Sequence, residues 1–244
     1  MDAQSDSGDK VAVIIPTYNR FKYLMNAIKS IQAQTHKNIE IIVINDCSTQ
    51  PEYYTHDWVG VKIIHLCVNS RKLFGYACCG FVRNQGIWLS NSKYVAFCDD
   101  DDIWFPNKIE LQLAAMKRTG CKMSSTEGLI GHGVYEKGKH YKKYNGEANY
   151  DTLQYIYRMS GSNSLVGGFP DIWDYEFIRI HNCVIISSVL MEREVLEKIG
   201  DFNNVRTGQE DWDCWLRTLK HTRSVYVKDV CFYYDHDHGA GRNY

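Results

Sequence analysis

The chain lacks an excess of charge of either sign. Its 244 residues carry 28 Lys and Arg against 29 Asp and Glu, a net charge of −1. The basic footprint of a nucleic-acid-binding protein is therefore missing. Long hydrophobic runs are missing too: none approaches the roughly 20 residues that a membrane-spanning helix needs. Met1 to Lys10 holds no apolar stretch, so it is expected to be a flexible leader and not a signal peptide. No C-x-x-C pair occurs among the nine cysteines, which argues against a structural zinc site. Their odd number and their place inside apolar runs predict buried, reduced thiols, and with them a cytoplasmic protein, free or peripheral to a membrane.

What is present describes a folded domain. Apolar residues make up 44% and charged residues 23%, which excludes disorder and coiled coil for the whole chain. The length suits one large α/β domain better than two. Val11 to Ile15 reads as a buried strand ended by Pro16. Asn19 is placed to cap the amphipathic helix that follows, which carries Leu24, Ile28 and Ile31 and runs to about Gln34. Further strands are expected at Ile39 to Ile44, Val61 to Leu66 and Tyr94 to Cys98. Helices are expected over Gly75 to Leu89 and after Pro106. Apolar strands alternating with helices predict a mostly parallel sheet covered on both faces, of the doubly wound, Rossmann-like class.

Residues 121–180 are rich in Gly, Tyr, Lys and Asn and read as a long irregular insertion. After it come an expected strand at Cys183 to Ser188, helices at Glu192 to Ile199 and Glu210 to Leu219, and a last strand or pair within Val225 to Tyr234. No repeat or linker divides the chain. We expect a single domain over 11–244, with a nucleotide-binding half at 11–119 and an acceptor-binding half at 120–244.

The chemistry gathers where strands end, because ligands of such sheets bind beyond the strands' carboxyl edges. Asp99, Asp100, Asp101 and Asp102 follow the fourth strand directly. Four adjacent carboxylates beside a buried strand are costly to keep ionised without a cation. Mg²⁺ or Mn²⁺ binds through one or two carboxylates together with a substrate's phosphates. An acidic helix N-terminus, the plainer reading, accounts for one or two aspartates and poorly for four. Glu210 and Asp211 open a helix after the loop Arg206-Thr207-Gly208-Gln209. Such a carboxylate can serve as a general base, or merely match the helix dipole. Arg71, Lys72 and Arg83 are cations available to phosphate or carboxylate. Asp235-His236-Asp237-His238 could ligate a metal or be a solvated end.

Taken in order, Pro16-Thr17-Tyr18-Asn19-Arg20, Glu40 to Ser48, Arg83-Asn84, Asp99 to Pro106 and Glu210-Asp211 resemble the family 2 nucleotide-sugar glycosyltransferases, which have the GT-A fold. The resemblance covers about residues 10–119 and 183–234. It implies inverting transfer from a nucleoside-diphosphate sugar to a hydroxyl acceptor, with Mn²⁺ or Mg²⁺ on the diphosphate. By the same resemblance, Pro16 to Arg20 would surround the nucleotide, with Thr17 and Tyr18 against the base. Asp46, beside Asn45, would accept a hydrogen bond from the base ring N–H, which points to uracil or thymine, and a UDP-sugar is the expected donor. Arg71 would reach the base or ribose. Asp99 would contact the ribose and share the metal with Asp101, Asp100 assisting. Asp211 would be the base, with Glu210 its neighbour, and His236 or His238 would approach the diphosphate or the metal. The family's usual Asp-Asp-Gly-Ser is Asn45-Asp46-Cys47-Ser48 here. A sugar nucleotidyltransferase and a non-catalytic carbohydrate-binding domain are the alternatives. The former would be expected to carry a Gly-rich basic phosphate loop after the first strand, where Pro16-Thr17-Tyr18-Asn19 stands.

Overall fold

The structure is a computed structural model that describes residues 9–238. Most of the expected leader, and the end of the polar tail, lie outside the described residues. Asp9 and Lys10 do not behave as leader: Asp9 pairs with Lys117, and the Lys10 carbonyl accepts the Tyr94 amide at 3.1 Å.

Four parallel strands build one side of a ten-stranded sheet. They are β1 (Val11–Thr17), β2 (Ile39–Asn45), β3 (Val61–His65) and β4 (Tyr94–Phe97), in the order β3-β2-β1-β4. β1 is buried along its whole length, as its unbroken apolar sequence requires. Pro16 lies inside β1 and not after it. Beyond Ile14 only β2 pairs with β1, so the missing proline N–H removes no bond on the β4 side.

The connecting helices are α1 (Phe21–Gln32), α2 (Glu52–Thr55), α3 (Ser70–Phe74) and α4 (Cys79–Leu89). α1 buries Leu24, Ala27, Ile28 and Ile31, the spacing of one helical face. Asn19 does not cap it. Asn19 stands in the left-handed region (φ 54°), and its side chain accepts the Thr49 amide at 2.8 Å instead. The helix expected from Gly75 starts at Cys79, because Gly75 (φ 78°) is the left-handed terminus of α3. Gly86 lets α4 rest on β1, since a Cβ there would come within 2.7 Å of Ile14.

β5 (Ile103–Trp104) and α5 (Lys108–Thr119) lead into the second half. Its elements are β6 (Met123–Gly131), β7 (Lys142–Lys143), a π-helical turn (Tyr144–Ala148), α6 (Tyr150–Met159), β8 (Ile172–Trp173) and α7 (Tyr175–Ile178). A 3-10 turn (Ile186–Ser188), β9 (Leu190–Glu192), α8 (Arg193–Ile199), α9 (Glu210–Thr218) and β10 (Ser224–Asp235) complete it. The sheet continues past β4 as β9-β6-β10-β5, with β7 on β6 and β8 on β10.

Two expectations are corrected here. Residues 121–180 are not irregular: they begin with nine-residue β6, inside the sheet. Ser124, Ser125, Thr126 and Glu127 are all buried in it. A strand whose polar side chains are buried shows neither an apolar run nor alternation. Cys183 to Ser188 is not a strand either; the strand is β9, two residues later. β9 runs antiparallel to both β4 and β6. β4, β6 and β10 therefore end at the same edge of the sheet. Between Val227 and Phe232, β10 takes five steps where its partner β6 takes two, from Thr126 to Gly128. That bulge carries Lys228 and Asp229 out of the ladder.

Candidate active site

The aspartate run leaves β4 at this common edge, and each carboxylate has a different environment. Asp99 is the most open, and Arg83 Nη2 donates to it at 2.7 Å. The Ser187 hydroxyl holds the Asp99 amide at 2.9 Å. Arg20, 5% exposed, clamps the next two: its Nη1 lies 3.2 Å from Asp100 and 3.0 Å from Asp101. Asp102 is fully buried and accepts the Asp235 amide at 3.1 Å. Burial, then the neighbouring carboxylates, pushes Asp101 and Asp102 above the usual range; Asp100 rises by burial against the opposing pull of Arg20. Oδ2 of Asp100 and Oδ2 of Asp102 are buried without a hydrogen-bond partner.

The loops after β1 and β2 hold each other. The Thr17 hydroxyl and the Tyr53 phenol lie 2.6 Å apart, both buried. Asn45 accepts the Ser48 amide and bonds the His65 ring at 2.8 Å. Asp46 is wholly buried. It accepts the Ser70 amide and hydroxyl, both at 2.7 Å, and the Asn69 side-chain amide at 3.1 Å. Burial raises the Asp46 carboxyl, and the Ser70 bonds oppose that rise. In this arrangement Asp46 fastens the start of α3.

Glu210 and Asp211 open α9, with Gln209 as the residue before the helix. Cys214, Trp215 and Thr218 are buried, so the helix is anchored behind its acidic start. Glu210 pairs with Arg83 at 3.0 Å, and Asp211 accepts from the Asn182 side-chain amide at 3.2 Å. Burial, then Glu210, pushes the Asp211 carboxyl up to about 6. A carboxyl with that value can both take up and release a proton near neutral pH. Arg83 thus touches both acidic motifs. Burial opposes its charge, but Asp99 and Glu210 hold it above its ordinary value.

A cleft of about 670 Å³ opens between the motifs. Among the sequence-expected residues, Pro16, Arg20, Arg71, Arg83, Asp99, Asp100, Asp101, Glu210, Asp211 and His238 line it. Thr17, Tyr18, Asn19, Asn45 and Asp46 do not line it, and His236 packs against the His132 ring at 5.4 Å. Tyr76, Cys79, Ile186 and Arg206 also line it, and they carried no signal in the sequence. Asn182 and Ser187, which hold Asp211 and Asp99, were equally silent, because an isolated polar residue before a strand has no pattern.

Among the described residues no group of three His, Cys, Asp or Glu side chains is placed to cage a metal. A Mg²⁺ or Mn²⁺ ion does not need three, since it keeps waters and shares a substrate's phosphates. Asp99, Asp100 and Asp101 at the cleft wall, with one Asp100 oxygen left without a hydrogen-bond partner, are hard oxygen donors of the kind such a cation takes.

Residues 12–175 match the family model described as glycosyl transferase family 2. An uncharacterized glycosyltransferase of Rickettsia bellii is 36% identical over 212 residues, covering 85% of this chain and 26% of the relative. TuaG of Bacillus subtilis, a glycosyltransferase named for teichuronic acid biosynthesis, is 31% identical over 91% of this chain and 76% of its own. The S. aureus TarS 1–349 structure in complex with UDP-GlcNAc superposes with a TM-score of 0.64 at 17% identity, over 96% of this chain and 62% of that one. The chain thus spans between a quarter and three quarters of the length of these relatives.

Proposed function

The chain belongs to glycosyl transferase family 2 and is a glycosyltransferase of GT-A fold, and we propose that it transfers a sugar from a UDP-sugar to a hydroxyl acceptor with inversion, aided by a divalent metal. One observation carries this reading: two acidic motifs, Asp99 to Asp101 and Glu210-Asp211, line one cleft and are joined there by the single guanidinium of Arg83. In the reaction Asp211 takes the proton of the acceptor hydroxyl. The acceptor oxygen bonds to the anomeric carbon as the bond to the diphosphate breaks, and the diphosphate leaves with that electron pair. One displacement inverts the centre. Arg20, Arg71 and Arg206 give the donor side of the cleft its cations. Asp99 and Asp101, with Asp100, would hold the ion, whose charge offsets that of the leaving diphosphate. The TarS complexes with UDP and with UDP-GlcNAc support a uridine donor here.

Release of UDP from a panel of UDP-sugars, with and without Mn²⁺, tests the reading. Slow donor hydrolysis that needs Mn²⁺ is expected. Conversion of UDP-sugar and added pyrophosphate to UTP and sugar 1-phosphate, or release of nothing, overturns it. Asp101→Ala is expected to abolish transfer and the metal-dependent part of UDP binding. Calorimetric UDP binding unchanged by both EDTA and Asp101→Ala argues against the metal. UDP is expected to bind more tightly than GDP, and equal or tighter GDP binding removes the uridine assignment.

Asn182→Ala offers a finer check. Asn182 donates to the Asp211 carboxylate and so favours its charged form. A hydrogen bond to a charged group contributes about 1.5–3 kcal/mol, so its loss should raise the Asp211 value by roughly one to two pH units. The acid limb of the pH–rate profile should move up accordingly, with donor KM unchanged. An unmoved limb means that Asn182 does not tune the base.

A further inference from the structure

A second cavity, of about 300 Å³, lies apart from the cleft in the acceptor half. It shares no lining residue with the cleft. Its walls are the rings of Tyr150, Phe169 and Tyr226. These rings are fixed: Tyr226 stacks on buried Trp173 at 4.3 Å, and Phe169 sits 5.8 Å from Tyr226. Its floor is Glu127, 3% exposed in the middle of β6. Glu127 Oε1 accepts the Gly128 and Asn145 amides, and Oε2 accepts the Gly146 amide at 2.8 Å and the Tyr226 hydroxyl at 2.9 Å. A carboxylate with four donors is a rigid strut. It binds the π-helical turn and β10 to β6, and so sets the shape of the cavity. At the rim stand the exposed Lys143, Glu147 and Lys228, the last pushed out by the β10 bulge.

The cavity is tied to the base. Asp211 accepts from Asn182; the next residue, Cys183, accepts at its carbonyl from the Asn145 side chain at 3.1 Å; and the Asn145 amide reaches Glu127 at 3.0 Å. Tyr144 feels both carboxylates: burial first, then Cys183, Asp211 and Glu127, lifts its phenol to about 12.

We propose that this cavity is an acceptor subsite that holds one pyranose ring, a sugar of the acceptor other than the one bearing the attacking hydroxyl. The proposal rests on the transferase reading above and adds that the acceptor is a glycan of at least two residues. A pyranose has C–H faces and a hydroxyl edge, and the cavity is lined by three aromatic side chains and edged by charged donors and acceptors. Its volume is at the lower end of the roughly 300–1,000 Å³ of small-molecule sites, room for a ring and not for a nucleotide sugar.

The test is saturation-transfer NMR on the full chain without donor, using methyl pyranosides of glucose, galactose, mannose, rhamnose, N-acetylglucosamine and glucuronic acid. At least one should bind, and equally in Asp211→Asn and in the presence of saturating UDP. Gly146→Leu places a side chain beside Glu127, since a Cβ there already lies 3.2 Å from Oε2. It should weaken binding at least tenfold and leave UDP-sugar hydrolysis as in the parent. The double variant Lys143→Ala/Lys228→Ala alters only exposed side chains, and it should weaken binding by a smaller factor even if Gly146→Leu folds poorly. Absence of pyranoside binding at 10 mM ligand, roughly the weak limit for a single ring, overturns the proposal. So does binding that survives both variants, or that Asp211→Asn or UDP abolishes. Donor hydrolysis is measured separately, so a failed donor assay and a failed subsite are told apart.

Discussion

Asp211→Asn is expected to lower kcat by about 10²–10⁴-fold, the usual contribution of a positioned general base. The substitution keeps the shape of the side chain and its place at the start of α9. What it removes is the ability to accept the acceptor's proton. The carboxyl lies near 6 because burial and Glu210 disfavour its charge. The ionised form is the working base, so parent activity should rise with pH through about 6 and level off above it. Asn at 211 should leave a low rate without that limb. Donor affinity should hardly change, since the arginines that line the cleft are untouched. Glu210→Gln should be milder in kcat, though it loosens Arg83. A fully active Asp211→Asn enzyme refutes the assignment, and a large loss of UDP-sugar affinity moves Asp211 to the donor side.

Arg83→Met should produce the largest loss of stability. The guanidinium is buried and bonded to Asp99 at 2.7 Å and to Glu210 at 3.0 Å. Removing one member of a buried ionic group costs about 3–5 kcal/mol, because the partner charges are left without compensation. At roughly 2–4 °C per kcal/mol for a chain of this size, Tm should fall by about 6–20 °C. Adding Glu210→Gln should recover part of the loss. Urea unfolding of the single and double variants measures this, and a single variant within 1 kcal/mol of the parent shows that the bridge is energetically neutral.

The strand ends of the first half were legible because burial on both faces leaves a nearly continuous apolar run, as at Val11 to Ile15 and Ile41 to Ile44. The aspartates stood out because four carboxylates after such a run need an explanation. β6 was illegible for the opposite reason. Ser124 bonds Gln112, and Glu127 is met by backbone amides and a phenol. Those partners lie 12 to 99 residues away, so the residues look like loop until the fold supplies them. Asn19 failed as a cap for a related reason: the loop after β2 competes for its side chain and wins. Residue types near strand ends thus announce chemistry, while the partners that hold them, such as Asn182, Ser187 and Arg83 with Glu210, emerge only from packing.

The bulge in β10 makes one strand serve two masters. Its first residues, Ser224 to Val227, line up with Met123 to Thr126 and carry Tyr226 to the second cavity. Its last residues deliver the Asp235 amide to Asp102. The unpaired residues between them act as a phase shifter: they fix which side chains past Val230 face which layer, independently of those before Val227. Deleting one of them, Asp229 for instance, changes nothing in composition near the cleft, yet it shortens the connection that sets where Val230 to Asp235 pair with Glu127 to Gly131. Were Val230 drawn back one place, every residue after it would face the other way, Phe232 would leave the core, and the Asp235 contact with Asp102 would pass to a neighbour. An exposed substitution at the same position leaves that phase untouched.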